Sequence, residues 1–415
     1  MFFTTLSLAA AIAGLLPIAM PSVATSAVAP ATTAADLEWF DGPFTNAIGM
    51  ARQDDANVVI YFWSDNSESC GKMYTDTIQN QRSKDVLKKN VLVSANYNTD
   101  VGAKLFKRFN VTVLPTIMIV TGEGNPEDAI VGIIDVDGFL GEFERIGRHE
   151  GTVSGLRAVA AAAKAGSDDA IEANWKLAGK LSDLGQSEGH DKILVTIRES
   201  DPKAKTVIGA RAHLWKLRDD INEGCSGKDA ECSCDADAAE GKEGECESCD
   251  AFVKADLSPL YVFAKKLKAD ESRFETWQTI GNMEVRKQDV ESAVKAFKAA
   301  NKACPKDQQI GFAKGVANWI INSNKEEQHS TKVKKFALEM AESAVEKARL
   351  LDPMTEAYQG AYGETEPRYI QAESMFVLAF AYDLNGDSKK AKKMAAKILE
   401  LTESDDYKEA LAPIL

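Results

Sequence analysis

Between Leu37 and Arg148, short β-branched apolar runs alternate with amphipathic stretches. Asn57–Trp63 (NVVIYFW), Val91–Tyr97, Thr116–Val120 and Ala129–Ile134 read as strands, while Cys70–Asn80, Val101–Phe109 and Val136–Ile146 have helical spacing. The first strand–helix–strand unit predicts parallel pairing, and the closely spaced last two strands predict a hairpin. A three-layer α/β domain over residues 36–150 fits this order. From Thr152 onward the strand pattern vanishes, and Ala-rich helical segments run to the last residue, punctuated by Gly and Pro.

The punctuation recurs. Counting back from Pro305, Ala300, Phe297, Ala293, Gly281, Ile280 and Trp277 stand 5, 8, 12, 24, 25 and 28 residues upstream. That spacing resembles a tetratricopeptide repeat, in which small residues let paired helices approach and Pro opens the next unit. The offsets return before Pro353 at Ala348, Val345 and Ala341, and less completely at Ala379, Tyr382, Gly386 and Ala391. Leu177, Ala178, Gly185 and Pro202 suggest an earlier copy. The resemblance implies an all-α superhelix of four or five units over residues 152–415, with a polypeptide-binding groove. Two stretches interrupt it, 219–250 and 322–332. They separate a helix ending near Leu217 from one over Ala251–Leu267, and split a second pair.

Charge divides the chain differently. The 415 residues carry 49 basic and 63 acidic side chains, a net charge of −14. Residues 219–250 hold twelve acids against two lysines, so ten of those fourteen negative charges belong to one insert. The acidic excess argues against nucleic acid or an anionic membrane surface as partner. Four scattered histidines give no metal or triad pattern.

The first 35 residues carry no charge. Leu6–Met20 is an apolar run followed by two small-x-small sites, ending at Ala24 and Ala29. This reads as an export signal over residues 1–24, with cleavage between 24 and 29, and places the mature chain in the periplasm or outside the cell. The run is too short for a transmembrane span, and Pro17 interrupts it. An exported chain permits disulfides.

The segment Phe62-Trp-Ser-Asp-Asn-Ser67-Glu-Ser-Cys70-Gly-Lys-Met73 resembles the active-site segment of thioredoxins, Phe-Trp-Ala-x-Trp-Cys-Gly-Pro-Cys-Lys. Phe109-Asn-Val-Thr-Val-Leu-Pro115-Thr116 resembles their Tyr-Gly-Ile-x-x-x-Pro-Thr. The resemblance implies a thioredoxin-like fold, a cis Pro115 and a peptide-binding edge at Leu114, Pro115 and Thr116. The chemistry departs from it. The nucleophile position is Ser67, and only the resolving position, Cys70, keeps a thiol. Asn66, Ser69 and Gly71 replace the family's Trp, Pro and Lys, and Tyr61 replaces its buried Asp. A serine hydroxyl does not substitute for a thiolate in disulfide exchange. Cys70 reads as a half-buried packing residue or, alternatively, as a single-thiol exchange site.

Cys225, Cys232, Cys234, Cys246 and Cys249 lie in or beside the acidic insert. Their C-x6-C-x-C-x11-C-x2-C spacing admits zinc ligation, but disulfides are the favoured reading in an exported chain, with the connectivity open. No metal and no cofactor is expected. The functional expectation is a binder of partner polypeptides, using the repeat groove and the Pro115 edge, without dithiol chemistry. The alternative is a thiol–disulfide exchange factor using Cys70 or the cysteines of the insert.

Overall fold

The computed structural model describes residues 37–225, 253–323, 329–355, 362–363, 365–402 and 404–415. The export-signal run falls outside this set, as do Cys232, Cys234, Cys246 and Cys249.

Four strands form one sheet in the order β2-β1-β3-β4: β1 Val58–Trp63, β2 Val91–Asn96, β3 Thr116–Val120 and β4 Pro126–Val131. β1 pairs parallel with β2, and β3 pairs antiparallel with both β1 and β4. β1 is apolar throughout because both its faces are covered. Val58, Ile60 and Phe62 pack beneath α1 (Phe44–Gln53) and α4 (Asp100–Phe109), against Ala47, Ala51 and Phe106. Val59 and Tyr61 face the other layer, where they meet Met73, Leu87 and Phe139. Those residues come from α2 (Glu68–Lys72) with the π-turn that follows it, α3 (Gln81–Leu87) and α5 (Val136–Gly147).

β4 lies three residues earlier than the sequence pattern predicts. The hairpin register pairs Ile130 with Ile117 and Ala129 with Met118, and Gly132, at φ +87°, ends the strand. Ile134 leaves the sheet and packs against the core beneath α5.

The rest of the described chain is helical: α6 Val153–Ala162, α7 Asp168–Asp183, α8 Ser187–Ser200, α9 Val207–Cys225, α10 Ser258–Lys266, α11 Asp270–Arg286, α12 Val290–Ala303, α13 Gln309–Ser323, α14 Thr331–Ala348, α15 Pro367–Leu384, α16 Ser388–Thr402 and α17 Asp405–Leu411. Helix α9 runs a further two turns past Leu217, into the acidic stretch. A Lys216–Asp220 ion pair one turn apart and the packing of Ile221 sustain it. Within the predicted 251–267 helix, residues 251 and 252 lie outside the described residues, and the described part holds a helix over Ser258–Lys266 with Pro259 in its first turn.

Consecutive helices pair: α7 with α8, α11 with α12, α13 with α14 and α15 with α16. The spaced small residues mark their close approaches. Ala293, Ala300, Ala341 and Ala348 are all fully buried, and Gly281 lies under the ring of Phe297. A β-carbon at Gly281 would sit 2.3 Å from Phe297 Cε1. That ring is fixed by edge contacts with Phe312 and Trp319. Gly281→Ala is therefore expected to destabilise by about 1 kcal/mol, because overpacking of ~1–3 kcal/mol outweighs the gain in helix propensity. Adding Phe297→Leu should restore stability in urea unfolding, and strict additivity of the two changes would refute the contact as the cause.

β4 also joins the two parts of the chain. Ala129 packs with Val153 of α6 and with Leu177, Leu181 and Leu184. Gln186 Nε2 donates to Pro126 O at 2.9 Å. Glu127 accepts from Ser154 N at 2.9 Å, and the fully buried Asp128 pairs with Arg145 of α5 and Lys180 of α7.

Candidate functional site

The strand registers bring the C-terminal ends of β1, β2 and β4 and the start of β3 to one end of the sheet. Trp63 lies opposite Asn96, Phe62 opposite Thr116, and Thr116 opposite Val131. The Ser64–Ser67 turn leaves β1 at that end and starts α2.

Ser67 occupies the extended N-cap position of α2, at φ −106° and ψ 108°. Its Oγ accepts from Cys70 N at 3.4 Å and shares a 2.8 Å hydrogen bond with Ser69 Oγ. A serine here does what N-cap residues do, satisfying a free amide of the first turn. Cys70 is 2% exposed, in the first turn of the helix, with its backbone carbonyl accepting from Tyr61 OH at 2.8 Å. Burial, and then the neighbouring Cys70, push the Tyr61 phenol well above its ordinary range, so it remains a proton donor. Tyr61 thus fills the interior position beside Cys70 with an aromatic ring, stacked on Tyr74, where a carboxylate proton carrier would otherwise stand.

The rim of the site holds residues that sequence reasoning missed. Asn96 and Asn98 both donate to Asp65 Oδ2, at 2.9 and 3.2 Å, and these bonds hold the Asp65 carboxyl below its usual range. Asn98 also reaches Ser64 Oγ at 3.3 Å, tying the β1 turn to the turn after β2. The Asn96-x-Asn98 pair at the C-terminal end of a strand was the available signal.

The Leu114–Pro115 peptide is cis. Pro115 and Thr116 are buried, and Leu114 is half-buried against the α1–α4 core. Pro115 O accepts from Gly132 N at 2.8 Å, and Val113 O accepts from Thr116 Oγ1 at 2.8 Å. Val113, 50% exposed, presents the free side chain of this edge. Tyr97, Val101, Val131 and Ile133 are likewise more than half exposed at the same end of the domain.

Cys304 is remote from this site and buried in the helical core. Burial pushes its thiol up to about 12, so it stays protonated at neutral pH. Cys225 closes α9. Among the described residues, no group of three or more His, Cys, Asp or Glu side chains is placed to hold a metal ion, and no helix is long and apolar enough to cross a membrane. The buried Cys70 is expected to resist iodoacetamide in native protein and to react fully in urea. Peptide mapping of native protein that shows alkylation at a free-thiol rate would place a reactive thiol here.

A four-stranded sheet with this order, helices on both faces and Cys70 on the first turn after β1 defines a thioredoxin-like domain. A family model described as a thioredoxin-like domain matches residues 44–147. A thioredoxin from Thermus thermophilus is 22% identical, with a TM-score of 0.26, over 28% of this chain and 91% of that one. The C-terminal domain of Neisseria meningitidis DsbD in its oxidised form is 19% identical, with a TM-score of 0.22, over 25% of this chain and 90% of that one. Among curated proteins none matches. The thioredoxin-like domain covers residues 44–147, and an all-helical region follows it among the described residues.

Proposed function

We propose that this chain is an exported polypeptide-binding protein whose thioredoxin-like domain has lost dithiol exchange and keeps the surface around the lost site for contact with partners. The observation that carries this reading is the pairing of Ser67 with an apolar collar. Ser67 spends its Oγ on capping α2, while Tyr97, Val101, Val113, Val131 and Ile133 surround the same end of the sheet with exposed hydrocarbon. Apolar side chains in such number around one end of a sheet favour contact with another chain over solvent. Cys70, buried and lacking a second thiol at Ser67, supports no exchange cycle.

The helical region is read as a tetratricopeptide-type array. The burial of Ala293, Ala300, Ala341 and Ala348 at the repeat offsets and the seating of Gly281 under Phe297 support that reading. The uncharged, apolar start of the sequence supports export to the periplasm or beyond.

Reduced, carboxymethylated α-lactalbumin is the probe for the collar. Val113→Asp with Ile133→Asp is expected to weaken its binding by about ten-fold or more, the loss of two apolar contacts, while Cys70→Ala leaves it unchanged. Insulin reduction above the buffer rate, abolished by Cys70→Ala, would instead establish the exchange-factor reading.

A further inference from the structure

Helices α6, α7 and α8 enclose a groove of about 520 Å³, on a part of the chain separate from the collar. One stripe from each helix lines it. Ile193 of α8, the alanines of α6 and Gly189 supply its accessible hydrocarbon, while Leu177 and Leu181 of α7 lie beneath, 2% and 1% exposed. Along the walls stand Arg157, Lys192, Asn174, Thr196 and Ser200.

The charge of this lining runs against that of the chain. The protein carries a net −14, yet the groove has two cations and no carboxylate among its lining residues. Lys192 is paired on its own helix with Glu188 at 2.6 Å. Arg157 is exposed and has no ion-pair or hydrogen-bond partner among the described residues. An unneutralised guanidinium over an apolar floor selects a ligand that is both anionic and aliphatic. The polar groups are also spread along the groove, from Arg157 on one wall to Thr196 and Ser200 on the other. Asn174, Thr196 and Ser200 each donate to a carbonyl of their own helix and keep oxygens that accept, which suits the repeating amides of a backbone, whereas a single-headed amphiphile would need its polar partners at one end.

We propose that the α6–α8 groove binds an acidic polypeptide segment, burying its aliphatic side chains on Ala160, Ala161 and Ile193 and setting its carboxylates against Arg157 and Lys192. The proposal rests on the reading of the chain as a polypeptide binder and names a second contact surface with its own specificity. Charge complementarity of this kind gives selectivity through attraction of the right partner and repulsion of the wrong one.

The test uses the whole protein and two short fluorescein-labelled peptides, one of Leu, Ser and Glu and one with Lys in place of each Glu. Fluorescence anisotropy is expected to show the Glu peptide binding at least about ten-fold more tightly at low salt, with the difference shrinking as salt rises. Arg157→Glu combined with Lys192→Glu should reverse the preference. Both positions are exposed, and an unchanged circular dichroism spectrum and melting temperature would show that the fold survives; Arg157→Gln with Lys192→Gln, which should level the preference, gives a milder second variant. Equal binding of the two peptides, or a preference that survives charge reversal, overturns the proposal. So does stoichiometric binding of laurate that displaces the Glu peptide and disappears in the same variants, which would make the groove an amphiphile site. The collar variants Val113→Asp and Ile133→Asp should leave the Glu peptide's affinity unchanged. A loss confined to them would locate polypeptide binding at the collar alone and refute the groove, without touching the broader functional reading.

Discussion

Asp128→Ala is expected to cost about 3 kcal/mol, seen as a lowered urea midpoint for the whole chain. Asp128 has no solvent exposure, and it stands between Arg145 of α5, with Oδ2 3.0 Å from Nη1, and Lys180 of α7. Removing one partner of a buried ion pair strands the other charge, at ~3–5 kcal/mol. The lower end applies because Arg145 keeps Glu142 at 2.7 Å and both cations retain some access to water, 28% for Arg145 and 18% for Lys180. Asp128→Leu with Lys180→Met removes both charges across the junction and should recover at least half of the loss. An Asp128→Ala midpoint within about 0.5 kcal/mol of the parent, the range of ordinary surface changes, would show that the junction is not held this way.

That junction illustrates what the sequence did and did not reveal. The strands of the α/β domain were legible because a sheet covered on both faces leaves unbroken apolar runs such as Val58–Trp63. Helices α1 and α3 left no such signature. α1 sets Phe44, Ala47, Ile48 and Ala51 on one core-facing stripe, but it is short and two of the four are only alanines, while α3 buries only Ser83 and Leu87. The clearest local mark of α3 is Asn80, whose side chain accepts from Arg82 N at 3.0 Å. Glu127 and Asp128, read in isolation, spell a solvent-facing strand and helped displace β4 toward the apolar Ile133–Ile134. Their partners lie on α6, α7 and α5, and no local pattern announces a carboxylate whose counter-charge is elsewhere in the chain.

The candidate site divides in the same way. The S-x-x-C segment could be read directly, because it aligns residue for residue with a known motif. Its consequences needed coordinates: that Ser67 caps α2, that Tyr61 bonds the Cys70 carbonyl, and that Asn96 and Asn98 clamp Asp65 from more than thirty residues away. The edge at Leu114–Thr116 shifted by one residue in meaning, since those side chains turn inward and Val113 is the one that faces outward. Motif resemblance locates a site along the chain, while packing decides which side chains remain available to a partner.

Gly102→Ala is expected to lose about 3 kcal/mol and to loosen the site at the same time. Gly102 lies in the first turn of α4, where its amide donates to the Thr99 cap at 3.0 Å. A β-carbon there would stand 1.8 Å from Asn96 O and 2.5 Å from Asn96 C. Both are backbone atoms, so no side-chain rotation can relieve the overlap, unlike the ring contact at Gly281. Either α4 must withdraw, opening the packing of Leu105, Phe106 and Phe109, or the turn after β2 must move. Overpacking at the upper end of ~1–3 kcal/mol or beyond follows, against less than about 1 kcal/mol gained from alanine's helix propensity. The same turn carries Asn96 and Asn98, so the bonds to Asp65 should weaken and the Asp65 carboxyl should titrate closer to its ordinary range. Urea unfolding measures the first effect, and carboxyl-detected NMR titration of Asp65 the second. Parental stability would show that the close approach of α4 to Asn96 can be relaxed at little cost, and an unmoved Asp65 titration would show that the turn is held independently of α4.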